Sequence, residues 1–187
     1  MYPSSAKGLL AEAALQLGLE YVPSVLDVER ETLLARMGQS IMTLERRMVG
    51  SIGSTRVYVV ENRSHTRLYL LYGVAFAPCG MPFRLRRETL LRSLAGLVPG
   101  IGDVKVGDPL FDREVWVRGV DATSASAYLT EGARAAIIQL MARVPDVRIA
   151  DGRIDGTERW SRFHPPGVAE IVSTVGLFVE AAERLAR

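Results

Sequence analysis

The segment MVGSIGSTRVYVVEN, residues 48–62, decides the fold class. Its second half, residues 56–61, is rich in β-branched residues and tyrosine, which are typical of strands. Gly53 and Ser54 lie near the middle, where a tight turn can join two strands. The segment therefore predicts a β-hairpin.

The strands predicted beyond this hairpin are short and bounded by turn residues. Residues 68–76 form a near-continuous apolar run, which favours a central strand covered on both faces. Asp151-Gly152 stands between residues 147–150 and 153–157 and strongly indicates a second hairpin. The remaining strands are predicted over residues 83–87, 103–106 and 111–118.

Helices are predicted outside these strands. The first has Ser4 and Ser5 as candidate N-caps and Gly18 as its end; the others cover residues 24–37, 88–97, 130–144 and 168–187. Strands in hairpin pairs with helices outside them indicate the α+β class. We predict a mainly antiparallel sheet with helices packed on it, in a single domain over residues 1–187.

The last predicted helix carries the strongest amphipathic pattern. Its apolar residues recur at a spacing of three and four: Val168, Ile171, Val175, Phe178, Ala182 and Leu185. Val172 and Val179 widen this stripe, and a wide stripe favours packing on a sheet over a coiled-coil seam. A dimer or partner interface is the alternative.

Composition limits the classes of function. The 187 residues are 48% hydrophobic and 24% charged, as in a soluble globular protein. A net charge of +2 is a weak bias, so no nucleic-acid partner is expected. The single cysteine, Cys79, excludes an intrachain disulfide and suits a reducing compartment, so we expect the cytoplasm.

No membrane segment is predicted within the chain. The longest uncharged stretch, residues 68–83, is too short to span a bilayer and contains glycine and proline. Residues 1–8 lack the basic and apolar regions of a secretory signal. A soluble domain tethered by a segment upstream of Met1 is kept as an alternative.

The segment GDPLFDREVWVRGVD, residues 107–121, concentrates charge around aromatic residues. A strand over residues 111–118 would place one set of side chains outward: Asp112, Glu114, Trp116 and Arg118. Two carboxylates on one strand face are a candidate metal or acid–base site. No histidine is near in sequence, and arginines can pair with both acids, so a solvated charged face is favoured.

This same segment resembles a stretch found in uncharacterised bacterial proteins of unknown function. The resemblance rests on G-D-P-x-F-D-R followed by V-x-V-x-G-x-D, and it is strongest over residues 103–140. Family members often carry this domain after N-terminal transmembrane helices. The resemblance implies a fold but no activity and no catalytic residues.

A second candidate surface lies in the loop that contains Trp160, Phe163 and His164. Aromatic residues beside arginines are typical of interfaces, although such residues more often close a core. Cys79 with His65 or His164 is a weaker candidate for a nucleophilic pair, because no nucleophile signature surrounds it.

Other motifs are missing or weak. Zinc spacing, nucleotide-binding glycine patterns and hydrolase motifs are absent, so no catalytic, cofactor-binding or metal-binding residues are predicted. A small basic cluster, formed by Arg84, Arg86, Arg87 and Arg92, is better explained as a solvated face than as a nucleic-acid site.

The sequence thus favours a non-enzymatic domain that binds another protein or itself. The candidate interaction surface comprises Asp112, Glu114, Trp116, Arg118, Trp160, Phe163 and His164. The alternative is an enzyme, or a protein that binds a small ligand or metal, whose acids come from several strands. Its candidate residues are Asp112, Glu114, Asp151 and Asp155.

Overall fold

A computed structural model describes residues 8–23, 46–63, 67–81, 83–87, 104–119, 121–161 and 163–186. The helices predicted over residues 24–37 and 88–97 lie outside these ranges, as do Ser4 and Ser5. Within the described ranges one antiparallel sheet of eight strands is accompanied by five helices. The α+β class is therefore confirmed.

The strands are β1 Glu20–Val22, β2 Arg46–Ile52, β3 Thr55–Arg63, β4 Arg67–Ala75, β5 Arg84–Arg87, β6 Val115–Arg118, β7 Asp146–Ala150 and β8 Arg153–Ser161. The helices are α1 Leu9–Leu17, α2 Pro109–Glu114, α3 Ala122–Tyr128, α4 Glu131–Arg143 and α5 Val168–Leu185. The strands lie across the sheet in the order β1-β2-β3-β4-β8-β7-β5-β6.

Both predicted hairpins are confirmed. Strands β2 and β3 pair around Gly53, and β7 and β8 pair around Gly152. The two glycines have φ of 58° and 71°, a left-handed conformation that other residues rarely adopt. Turn chemistry therefore fixes the register of both hairpins.

Helix α5 forms the centre of the layer that covers one face of the sheet. Its apolar stripe is buried within the chain, and its Phe178 ring stacks on Tyr72 of β4 with centroids 5.5 Å apart. Helices α1 and α4 pack beside it. The stripe thus belongs to the core, as its width predicts.

The prediction that residues 68–76 are covered on both faces of the sheet is wrong. Burial along β4 alternates: Leu68, Leu70 and Tyr72 are buried on the helix side, whereas Leu71 on the opposite side is 38% exposed. The apolar run therefore does not mean burial on both faces. None of the described helices packs on this side, which we call the open face.

The strand predicted over residues 111–118 is also corrected. The chain forms helix α2 first and enters β6 only at Val115. Asp108 caps the helix, because its side chain accepts hydrogen bonds from the amides of Leu110 and Phe111, each at 3.1 Å. Pro109 suits the first helical turn. Capping chemistry outweighs the alternating pattern here.

Within the described residues, no helix has both the length and the apolar character that crossing a bilayer requires.

Candidate binding face

The open face carries a concentration of arginine. Directly paired residues of antiparallel strands point to the same side of a sheet, so the strand register identifies its members. The arginines on the open face of the described strands are Arg47, Arg56, Arg67, Arg84, Arg86, Arg118, Arg148, Arg153 and Arg159. The carboxylates on it are Glu20, Asp146 and Asp155.

These arginines are accessible to solvent. All are exposed except Arg86, which is half-buried. The chain as a whole has a net charge of only +2. Nine arginines against three carboxylates on one face therefore reflect segregation of charge by the fold, which creates a local positive potential.

A small apolar strip lies on the part of the open face formed by β2, β3 and β4. Val60 of β3 and Leu71 of β4 are direct cross-strand partners, and Val49 of β2 belongs to the next row. Leu71 is exposed, and the two valines are half-buried. An apolar centre surrounded by arginines is the composition of a protein interface, where arginine is enriched and lysine is depleted.

A hydrogen-bonded group links β3 to β8 across β4 on this face. The Tyr58 hydroxyl donates a hydrogen bond to Asp155 and accepts one from Arg153 Nη2 at 2.7 Å. Arg153 Nε also lies 2.6 Å from Asp155 Oδ2. Partial burial, and next the hydrogen bond to Asp155, raise the pKa of Tyr58, so the phenol stays protonated and continues to donate.

The aromatic rings of the open face lie under guanidinium groups. Arg118 is 5.9 Å from the ring centroid of Trp116, and Arg159 is 6.0 Å from that of Tyr69. Arg153 lies 5.8 Å from the Tyr58 ring. These are cation–π distances. The rings therefore support the arginines rather than forming open stacking platforms.

Two depressions mark opposite ends of the face. A cleft of about 180 Å³ is lined by Arg84, Leu85 and Arg86 of β5, by Arg148, Ile149 and Ala150 of β7, and by Arg153 and Asp155 of β8. A broader groove of about 440 Å³ is lined by Arg67, Arg159, Trp160 and Ser161. Arginine contributes to both.

The predicted interaction residues of residues 107–121 do not share one strand face. Asp112, in α2, accepts hydrogen bonds from the amides of Val106 and Gly107 at 2.8 and 3.0 Å. Glu114 pairs with Arg113 at 3.1 Å.

Further along the chain, Arg118 is exposed, whereas Trp116 is only 9% exposed. Trp116 and Arg118 thus lie on the same face of β6, the open face, but Trp116 is largely buried there.

The other three predicted residues lie at the end of β8. Trp160 points to the helix side, Phe163 is 79% exposed, and the His164 amide donates to the Ser161 carbonyl at 3.1 Å. Strands β7 and β5 separate this group from β6. The seven residues therefore form two separate groups.

The acids of the alternative hypothesis each have a local role. Asp151 accepts from the amides of Cys79 and Met81 at 3.0 and 3.2 Å and closes a turn, while Asp155 is held by Arg153 and Tyr58. In the part of the chain that the structure describes, no three histidine, cysteine or acidic side chains are grouped to hold a metal ion.

Cys79 lacks the environment of an activated nucleophile. Burial, and next the hydrogen bond to Asp151, raise the pKa of its thiol, so less reactive thiolate is present. His65, one of its two predicted partners, lies outside the described residues.

A buried polar cluster lies on the helix side. Glu158 of β8, 5% exposed, accepts from the Tyr72 hydroxyl at 3.0 Å and from Trp160 Nε1 at 3.1 Å. Arg143 Nη2 lies 3.3 Å from its other oxygen, and Arg143 Nε donates to Thr174 at 3.2 Å. Burial, more than the neighbouring Glu158, raises the pKa of Tyr72. The cluster ties α4 and α5 to the sheet.

The basic cluster predicted near residue 84 is divided by the sheet. Arg84 and Arg86 point to the open face, whereas Arg87 points to the helices and donates to the Met141 carbonyl at 3.4 Å. Arg92 lies outside the described residues. The spacing of two between Arg84 and Arg86, with Leu85 between them, is the sequence signal that places these two arginines on one face of a strand.

Comparison of the chain with family models, curated proteins and solved structures gives no match. The resemblance to an uncharacterised bacterial family therefore stays a prediction.

Proposed function

We propose that this chain is a non-enzymatic binding domain whose open face binds another protein with an acidic surface. The observation that carries the proposal is the segregation of nine arginines and three carboxylates onto one face of the described strands, a face on which none of the described helices packs. Charge complementarity of this kind steers association and selects partners.

The apolar strip favours a protein over other anionic partners. Val60 and Leu71 offer a dry centre that an apolar side chain of the partner would cover, and the arginines form the polar rim. Single-stranded nucleic acid needs exposed rings for base stacking. The rings of Tyr58, Tyr69 and Trp116 already lie under arginines.

Charge also argues against pairing of two open faces. Two copies that met through this face would bring like charges together, which is unfavourable. We therefore favour a different protein as the partner over a second copy.

The free thiol of Cys79 supports the expected cytoplasmic location.

Charge reversal on the open face tests the proposal. The variant Arg47→Glu/Arg56→Glu/Arg159→Glu removes three exposed arginines from different strands of the face. A control, Arg113→Glu/Arg184→Glu, reverses exposed arginines on helices α2 and α5. Both variants and the original chain serve as baits for proteins of the source cells.

A protein counts as a partner only if it also binds the purified chain directly. We expect such a protein to be acidic, to bind the control normally and to lose at least about tenfold in affinity for the triple variant. Equal binding to both variants would contradict the proposal. So would tighter binding of a short single-stranded oligonucleotide than of any protein.

A further inference from the structure

We infer that the partner of the open face binds through an amphipathic, acidic α-helix. The apolar side chains of this helix pack on the apolar strip, and its carboxylates pair with the arginines beside the strip. The inference rests on the proposed function and deepens it, because it names the kind of element that the acidic partner presents. The residues that carry it are Arg47, Val49, Arg56, Val60, Leu71 and Arg159.

The apolar strip has the length of two helical turns. Val60 and Leu71 are paired directly on β3 and β4, and Val49 lies on β2, diagonal to Val60. Strands about 4.8 Å apart, with a rise of about 3.3 Å per residue, place Val49 roughly 12 Å from Leu71. Two turns of an α-helix advance about 11 Å. Apolar residues at helical positions i, i+4 and i+7 can therefore contact all three side chains.

Exposed arginines flank the strip on two sides. Arg56 lies on the side of the turn that joins β2 to β3. On the opposite side, Arg47 precedes Val49 on β2. Arg159, on β8, is diagonal to Leu71 on that same side. An amphipathic helix that lays its apolar stripe on a surface carries polar residues along both borders of the stripe, so acidic residues there would meet these arginines.

The pairing of the strands favours a helix over an extended segment. Each of β2, β3 and β4 is hydrogen-bonded to a neighbouring strand on both sides, so the strip offers no open edge that a partner strand could join. An extended segment lying on this face would leave its own backbone groups without partners in the sheet. A helix satisfies its own N–H and C=O groups and contacts the face through side chains alone.

The described residues of a second copy do not supply such a helix. The two longest described helices, α4 and α5, bury their apolar residues in the core of their own chain. The open faces of two copies also repel each other, since both carry an excess of arginine. A different, acidic protein is therefore the source of the helix.

Two synthetic peptides test the inference without the natural partner. The first has about 18 residues, with leucine at a helical spacing of i, i+4 and i+7 and with glutamate and alanine elsewhere. The second contains the same residues in an order without helical period. Fluorescence anisotropy measures binding, and circular dichroism measures helix content. We expect the amphipathic peptide to bind at least about tenfold more tightly than the second peptide and to gain helix on binding.

Substitutions in the strip test where the peptide binds. Leu71→Ser should weaken binding of the amphipathic peptide at least about tenfold, because an apolar contact is lost. The matched control is Leu15→Ser, which changes a leucine that is 81% exposed on α1 and should bind as the original chain does. Val49→Thr keeps the β-branched shape that suits a strand, so it tests the strip even if Leu71→Ser is unstable.

Equal affinity for the two peptides, or unchanged affinity in both strip variants, would overturn the helical partner. So would a dimer of the original chain that Leu71→Ser dissociates, which would assign the strip to a second copy. Failure of the proposed function gives a different result: an acidic partner protein would bind the triple arginine variant and its control equally. The two proposals therefore fail in separate measurements.

Discussion

The ring of Tyr58 on β3 lies across the Cα of Gly73, its direct cross-strand partner on β4. A side chain at position 73 would occupy the space of the ring. Glycine therefore lets the ring lie along the sheet, and its hydroxyl reaches Asp155 and Arg153 on β8. One missing side chain thus organises the middle of the open face.

Replacement of Gly73 by alanine should destabilise the chain by about 1–3 kcal/mol, because the added methyl group overlaps the Tyr58 ring. Urea unfolding measures the loss. The control Gly176→Ala lies in α5 with open space around it, and it should gain up to about 1 kcal/mol. Equal stability of Gly73→Ala and the original chain would contradict this account.

Trp116→Ala should destabilise the fold rather than only weaken binding. The side chain is 9% exposed, and truncation of a buried tryptophan costs about 3–5 kcal/mol. Phe163→Ala is the control, because a residue that is 79% exposed should change stability by no more than about 0.5 kcal/mol. An unchanged Tm for Trp116→Ala would show that this residue does not contribute to the core.

Asp108, the N-cap of α2, should make the stability of the fold depend on pH. Hydrogen bonds from the Phe111 amide and then from Arg134 lower the pKa of Asp108. The unfolded chain therefore binds the proton more readily. The hydrogen bonds to ionised Asp108 therefore stabilise the fold fully above the unfolded pKa of this carboxyl, about 3.9. This stabilisation is lost as pH falls through the lower pKa that Asp108 has in the folded chain.

Two variants of Asp108 separate the contribution of its capping hydrogen bonds to stability from the contribution of its charge. Asp108→Ala should lose about 1 kcal/mol at neutral pH, because the amides of α2 lose their acceptor. Asp108→Asn keeps an acceptor but cannot titrate. Stability measured from neutral to acidic pH should therefore fall less in both variants than in the original chain. An identical acid dependence in all three chains would contradict the assignment.

Removal of one charged partner from the buried polar cluster around Glu158 should destabilise the fold. Arg143→Met leaves the Glu158 carboxylate buried without its cation, and the expected loss is about 3 kcal/mol. The double variant Arg143→Met/Glu158→Gln should recover part of this loss, because no buried charge remains. Chemical unfolding of the single and double variants measures this coupling. Additive losses would contradict it.

Much of the fold could be predicted because its signals are local. Gly53 and Gly152 specify turns, Thr130 caps α4, and the stripe of α5 has a clear helical period. Helix α3 was missed because it is short and has no apolar period; it depends on Asp121, whose side chain accepts from the Ser124 amide at 2.9 Å.

The candidate site was less accessible to prediction. Arg86 and Arg148 are opposed only because β5 pairs with β7, a contact between distant parts of the chain. Arg148 stands between Val147 and Ile149, and Arg86 follows Leu85, but these local patterns do not show which strands lie side by side. The open face is thus a property of strand order, which local patterns leave undetermined.

The strand order also determines when the protein can complete its fold during synthesis. Strands β2, β3 and β4 form a local meander, but the other edge of β4 pairs with β8, which is made much later. Until then a nascent chain presents an unpaired apolar strand, the kind of edge that other chains join. Helix α5, which covers this strand, follows β8 in the chain. Newly made chains should therefore aggregate more readily than finished ones, and truncation before β8 should yield insoluble protein.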